Sequence, residues 1–477
     1  MSRHSKIVAT LGPATDDLDV LCKALQAGID LVRVNFSHGK AEDHARRVAL
    51  ARKASAQVGR YVGILGDLSG PKIRIERFAS GPVTLREGAV FVLDTALDPD
   101  AGDESQVGCS YQLLPKDVAA GDVLLLNDGL IALRVEAVEG TRVVTRVQLG
   151  GELGNHKGLN KQGGGLSAGA LTDKDRRDIV TAAGLGLDYL AVSFVQSAAD
   201  IEEARSLMRS AGGDCGIVAK IERTEALTDL EGIVRASDAV MVARGDLGVE
   251  VGYAELTGLQ KRIIRLARHL NRPVITATQM MESMIVNPVP TRAEVSDVAN
   301  AIMDGSDAVM LSAETAVGKY PVKVVAAMAQ VIEGAEKWQL ARRDLSDPDG
   351  EFTRTDEAIA HAVMYTARHL DVRAIVALTE SGSTALWMSR TRSGIPIYAF
   401  SRQGSTRRRV TLYRGVYPID FDVTDTHPDV LYPTIFSVLL RRGLAQEGDL
   451  VIITKGELRG VKGGTNTMKI LRVTREG

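Results

Sequence analysis

Three side chains stand out for the chemistry their spacing permits. Lys220 and Glu222 lie two residues apart in the apolar run CGIVAKIE (215–222), and Asp246 closes a similar run, AVMVARGD (239–246). Residues two apart on a strand face the same way, so Lys220 and Glu222 project together. Adjacent strands lie about 4.8 Å apart, so carboxylates ending two neighbouring strands can share one hard cation such as Mg²⁺ or Mn²⁺, with water and substrate oxygens completing its shell. Lys220 would set a positive charge beside that metal. Gly245 clears the start of the following helix, where backbone N–H groups can meet an anion. Arg33 adds a planar cation suited to phosphate oxygens, and Thr278 a hydroxyl on the opposite wall. Together they describe a site for a small, highly charged phospho-carboxylate.

Such side chains need a scaffold that brings distant segments to one place. Eight short apolar, β-branched runs recur: KIVATL (6–11), LVRVNF (31–36), YVGILGD (61–67), DYLAVSF (188–194), CGIVAKIE, AVMVARGD, PVITATQ (273–279) and AVMLSAE (308–314). Most are followed by a helix-period segment, the pattern of βα units and a parallel sheet. Ser197 and Asp200 give one helix a capping-box start. Leu259, Ile263, Leu266, Ala267 and Leu270 form an apolar helix face that Asn271 and Pro273 terminate. Eight units predict a closed (β/α)8 barrel, whose active site gathers at the C-terminal strand ends. Those ends carry Thr10, Arg33, Asn35, Ser37, His38, Asp67, Ser193, Lys220, Glu222, Arg244, Asp246, Thr278, Gln279, Ser312 and Glu314.

After the third run the period changes from helical to alternating. LIALRVEAV and TRVVTRVQL, with turns at Asn127-Asp128-Gly129 and Glu139-Gly140, read as antiparallel strands of a small inserted β domain. Its exit, KQGGGLSAG (161–169), reads as a hinge, so the insertion can act as a lid. Removing it leaves roughly 240 residues, near the ~250 usual for such barrels. ARRDLSDPDGE (341–351) reads as a linker to a third domain, in which AIVALT, PIYAFS and DLVIITK are strand candidates of an open α/β sheet. The expected division is 1–69 and 168–342 for the barrel, 70–167 for the lid and 354–477 for the C-terminal domain.

Composition bounds the partners. The 58 basic and 60 acidic residues nearly cancel, so no global field draws nucleic acid or an anionic membrane, and phosphate binding must be local. Cys22, Cys109 and Cys215 are far apart and form no C-x-x-C pair, which suits a reducing compartment. No signal-peptide core precedes the first run, and no stretch has the roughly 20 uncharged apolar residues of a membrane span. A soluble cytoplasmic protein is expected.

The residues that carry this reading resemble the pyruvate kinase family, over nearly the whole chain and including the place of the insertion. KIVATLGPA, RVNFSHG, GDLSGPKIR, AKIE, ARGDLGVE, TATQMMESM, PTRAEVSDVANA and DGSDAVMLSAETAVGKYP resemble that family's motifs in order. The resemblance implies transfer of phosphate from phosphoenolpyruvate to ADP, giving pyruvate and ATP as the last step of glycolysis. It implies that Glu222 and Asp246 ligate the divalent metal, that Lys220 stabilises charge on the transferring phosphoryl and enolate oxygen, and that Arg33 contacts the phosphate. The backbone at Arg244, Gly245 and Asp246, with Thr278, would hold the substrate carboxylate, and Thr278 would border the route that protonates the enolate. Asn35, Ser37, His38, Arg74 and, from the lid, Lys157 correspond to nucleotide contacts. A homotetramer is implied by the resemblance alone.

One departure bears on cofactors. Many members carry D-T-K-G-P-E-I-R after the third strand and need K⁺; this chain has Asp67-Leu68-Ser69-Gly70-Pro71-Lys72-Ile73-Arg74. The expectation is that the Lys72 ammonium replaces the monovalent cation in a site outlined by Asn35, Ser37, Asp67 and the Leu68 carbonyl, so that K⁺ is not required. Ser69 in place of lysine also removes a charge near the hinge. In the C-terminal domain, Thr379, Ser381, Gly382, Ser383 and Thr384 sit at a strand-helix turn able to cradle a phosphate, and the resemblance implies an allosteric sugar-phosphate or nucleotide site there. Arg407 to Arg409 fit that site, a subunit contact or a solvated face. Two rivals remain from the residues alone: a metal-dependent lyase acting on pyruvate-like substrates, and a catalytically silent sensor.

Overall fold

The computed structural model describes residues 3–341, 352, 354–391, 393–422, 427–456 and 463–475. Among these, eight parallel strands close a barrel: β1 Lys6–Thr10, β2 Leu31–Asn35, β3 Gly63–Asp67, β4 Tyr189–Val192, β5 Gly216–Ile221, β6 Ala239–Ala243, β7 Val274–Ala277 and β8 Ala308–Leu311, each bonded to the next and β8 to β1. The strands read as unbroken apolar runs because both faces are buried. Ile7, Val32, Ile64, Leu190 and Ile217 pack outward on the helices. Val8, Leu31, Leu65, Ala191, Val218, Met241 and Met310 fill the interior.

The strands stop earlier than their apolar runs suggest. Pairing ends at Ile221, Ala243, Ala277 and Leu311, so Glu222 lies just past β5 and Asp246 in the first turn of helix Arg244–Val251. At β7 the cause is conformational: Thr278 and Gln279 take φ of +67° and +53°, which turns the backbone out of the ladder.

Four aspartates seal the opposite rim. Asp30, Asp188, Asp238 and Asp307 each directly precede an even-numbered strand, and each accepts the N–H of a residue in the strand before it: Ile7 (2.9 Å), Ile64 (2.9 Å), Ile217 (2.7 Å) and Val274 (2.9 Å). Such buried amides would otherwise lack acceptors. Arg3 pairs with Asp30 and Arg205 with Asp238, both from the barrel. The C-terminal domain reaches the other two stations, through Arg408 on Asp188 (2.8 Å), which Arg52 of the barrel also holds (3.0 Å), and Arg390 on Asp307 (3.1 Å).

The inserted domain has a six-stranded and a two-stranded sheet around its own core of Ile75, Phe91, Leu133 and neighbours. The predicted turn at Asn127 to Gly129 joins Val123–Leu126 to Ile131–Glu139, all three residues having positive φ. Most pairs are antiparallel as expected, but Val90–Asp94 and Gln106–Gly108 run parallel. The glycine hinge is tethered to the barrel: Gly163 N–H meets Glu250 O (3.0 Å), Gly165 N–H meets Glu225, and Arg223 donates to Leu166 O and Ala168 O.

The C-terminal sheet runs Val416–Asp420, Ile397–Ser401, Val372–Leu378, Leu450–Gly456 and Thr465–Arg472, the last antiparallel. The three anticipated strands are present; the first and last of this order had no clear apolar run. Beyond Ala341 the anticipated linker lies outside the described residues. This domain plugs the barrel floor with Leu412 and Tyr413. The basic run has a role that none of its three sequence readings contained. Arg408 grips Asp188, Arg409 lies 3.4 Å from Asp214, and Arg407 covers the Tyr61 ring, so the run docks the domain on the barrel. No helix among the described residues is long and apolar enough to cross a membrane.

Candidate active site

Asp67, at the end of β3 and fully buried, organises the site. Its carboxylate accepts Arg33 Nε at 2.6 Å and lies 3.2 Å from Lys220 Nζ. Burial alone would raise the Asp67 pKa, but the charges of Arg33 and Lys220 outweigh it and hold the group below its ordinary value. Lys220 also lies 3.3 Å from Glu222 and donates to Ser193 Oγ at 2.6 Å. Desolvation acts to deprotonate this lysine, yet Asp67 and Glu222 reverse the sign and raise its pKa. The charged ammonium is favoured at this part-buried position.

Glu222 is 2% exposed and takes the Phe194 N–H at 2.9 Å. Burial raises its pKa, opposed by Lys220 and reinforced by the charges of Asp246 and Asp67. Asp246 and Asp67 therefore lie near enough to act on Glu222 across one space. Lys72 reaches into it from the lid, its Nζ 3.0 Å from Asp246 Oδ1. The sequence reading has the Lys72 charge stand in for the monovalent cation of a site outlined by Asn35, Ser37, Asp67 and Leu68; the contact Lys72 makes is to Asp246. Asn35 Oδ1 accepts Ser37 N–H (3.0 Å), Leu68 O accepts the Ser193 hydroxyl (2.7 Å), and Asp67 is taken by Arg33 and Lys220.

The opposite wall is built from β7 and the helix after β6. Gly245 N–H donates to Thr278 Oγ1 at 2.9 Å. The Arg244 side chain turns away and braces that wall, donating to Ala277 O (3.1 Å) and Thr278 O (2.6 Å) while pairing with Asp297 (2.7 Å). Three bonds therefore hold the strained turn at Thr278. Ser312 and Glu314 belong to structure: the carboxylate accepts Ser312 N–H and Met281 N–H.

At the corner after β2, His38 N–H closes a turn on Asn35 O (3.4 Å). Sequence reasoning missed the cation there. Lys174, in helix Asp173–Gly184, donates to Phe36 O (2.7 Å) and lies 3.5 Å from Ser69 Oγ. Paired with Asp178 at 2.5 Å, it brings a cation beside the position where Ser69 removes one. Arg74 and Lys157 lie on the lid, Arg74 donating to His156 O (2.9 Å) and Lys157 O accepting Ile75 N–H (3.0 Å).

Residues 2–325 match the family model for the pyruvate kinase barrel domain, and residues 357–471 match that for the pyruvate kinase alpha/beta domain. The chain belongs to the pyruvate kinase family. It is 54% identical over 475 residues to pyruvate kinase II of Salmonella typhimurium, covering 99% of both chains. It is 50% identical over 458 residues to the pyruvate kinase of Haemophilus influenzae, covering 95% of this chain and 96% of that one. To the Geobacillus stearothermophilus pyruvate kinase the identity is 42% over 476 residues, 98% of this chain and 80% of that one. Family membership makes the chain a phosphotransferase, and the metal-dependent lyase and silent sensor fall away.

The candidate effector loop of this family member is a compact turn. Gly382, at φ +84°, begins helix Ser383–Arg390; its N–H meets Thr379 Oγ1 (2.9 Å), and Ser381 Oγ lies 3.2 Å from Ser383 Oγ. Thr384 bonds Thr465 across to the antiparallel strand.

Proposed function

We propose that the chain transfers the phosphoryl group of phosphoenolpyruvate to ADP, giving pyruvate and ATP, at the space between Lys220, Glu222, Asp246 and Thr278. One observation carries this reading: Arg33 and Lys220, from two different strands, hang on the single carboxylate of Asp67. Phosphoryl transfer needs positioning and neutralisation of charge on oxygens more than covalent chemistry. A shared anchor sets two cations at fixed separation toward one phosphate without reorganisation during the reaction. The backbone at Arg244, Gly245 and Asp246 receives the carboxylate, with Thr278 beside it. The Thr278 hydroxyl donates to Ala277 O (2.6 Å), so a proton route through it requires that hydroxyl to rotate.

Glu222 and Asp246 offer the hard oxygen donors that Mg²⁺ or Mn²⁺ prefers, and Lys72 already neutralises one of them. The fit is good. When bound, the metal supplies Lewis-acid polarisation of phosphate oxygen. Three carboxylates, Asp67, Glu222 and Asp246, face three cations, Arg33, Lys72 and Lys220, so the protein groups balance. We read Lys72 as supplying the charge that K⁺ provides elsewhere, acting on Asp246, which supports K⁺ independence. Asn35, Ser37, His38, Arg74 and Lys157 are proposed nucleotide contacts, joined by Lys174 on the strength of its place at the Phe36 corner. The loop from Thr379 to Thr384 is proposed to take a sugar-phosphate or nucleotide effector. A cytoplasmic homotetramer completes the reading; the unpaired, buried cysteines suit that compartment.

The test is pyruvate formation from phosphoenolpyruvate with Mg²⁺, with and without ADP. ADP-dependent turnover is expected; ADP-independent turnover, or none with ADP present, would overturn the proposal.

A further inference from the structure

We propose that Ser193 is a positioning residue for phosphoryl transfer, acting through Lys220. This inference rests on the proposed role of Lys220. The Ser193 hydroxyl accepts the Lys220 ammonium at 2.6 Å and donates to the Leu68 carbonyl at 2.7 Å, with Asp67 Oδ1 farther off at 3.4 Å. It is 1% exposed, and a charge-assisted bond of this length away from solvent is strong and directional. Asp67 and Glu222 attract the ammonium from 3.2 and 3.3 Å. An ion pair at that distance tolerates sliding, whereas the hydroxyl fixes where between them the nitrogen sits.

The local backbone is built around this placement. Phe194, the next residue, has φ +56°, a conformation costly for a bulky side chain and retained where the surroundings enforce it. The turn aims Phe194 N–H at Glu222 Oε1 (2.9 Å). The end of β4 thus holds Lys220 with one residue and Glu222 with the next. The segment also touches the lid: a Cβ on Gly70 would lie 2.8 Å from Ser193 Cβ and 2.6 Å from Phe194 Cδ2. Since Gly70 opens the segment leading to the lid, lid position and lysine position share one contact.

A double-mutant cycle tests this. Ser193→Ala is expected to lower kcat roughly 10- to 100-fold with KM for ADP changed less than about threefold, while in a Lys220→Met background the same substitution changes turnover less than about twofold. Ser193→Thr, which keeps the hydroxyl, is expected to retain most turnover, and it remains informative should the alanine variant fold poorly. Equal losses from Ser193→Ala in both backgrounds, or a threonine variant as impaired as alanine, would overturn the proposal. Parent-level turnover in Lys220→Met alone would instead overturn the role of Lys220.

Discussion

Lys72 Nζ and Asp246 Oδ1 lie 3.0 Å apart, an ion pair that joins the lid to the helix following β6. It brings a lid cation to a carboxylate proposed as a metal ligand. Lys72→Glu replaces attraction by repulsion at that point. Turnover without K⁺ is expected to fall at least about tenfold, the factor that 1.4 kcal/mol of lost compensation gives, and to recover when K⁺ is added. Steady-state rates at zero and saturating K⁺ decide it. Strong K⁺ activation of the parent, or a variant indifferent to K⁺, contradicts the role given to Lys72.

Asp297 orients Arg244, which in turn holds Ala277 O and Thr278 O. Asp297→Ala should release the strained Thr278 turn and raise KM for phosphoenolpyruvate about tenfold, with a loss of about 1–3 kcal/mol in stability. Unchanged KM would separate the brace from the substrate wall.

Arg390 and Asp307 are 5% and 3% exposed, a buried pair between the C-terminal domain and the barrel floor. Arg390→Ala leaves an uncompensated carboxylate and should cost about 3–5 kcal/mol in denaturant unfolding. The more exposed Arg408 should cost less on truncation, because Arg52 still pairs with Asp188.

His4 lies buried where β1 meets the C-terminal domain, faced by Arg414, Glu336 and Lys6. Desolvation, aided by Arg414, lowers its pKa from 6.5 to about 4. As pH falls, the unfolded chain takes up this proton first and the folded chain only near 4. The His4 contribution to stability is therefore intact above about 6.5 and declines as pH drops toward 4. Denaturation midpoints of the parent should fall more steeply across that window than those of His4→Gln, by up to about 3 kcal/mol. Identical slopes would contradict it.

The sequence showed the barrel because parallel strands buried on both faces leave unbroken apolar runs, and it showed Lys220, Glu222, Asp246 and Arg33 because strand order brings their ends together. It misplaced Asp246 on a strand, since AVMVARGD is continuous in character while the backbone turns at Arg244. The basic run at Arg407 was illegible because its partners, Asp188 and Asp214, lie some 200 residues earlier. Lys174 offered one overlooked signal: a lysine in the first turn of a helix runs against the macrodipole and needs another reason to be there. Ser193 offered none beyond its place at a strand end.

The most direct test of the account is the turnover of Lys220→Met beside the parent, with phosphoenolpyruvate, ADP and Mg²⁺ saturating. A loss of at least about 100-fold in kcat with the fold intact is predicted, the scale on which removing one preorganised charge stabiliser acts. Turnover within a few-fold of the parent would contradict the claim that Lys220 carries the transferring charge.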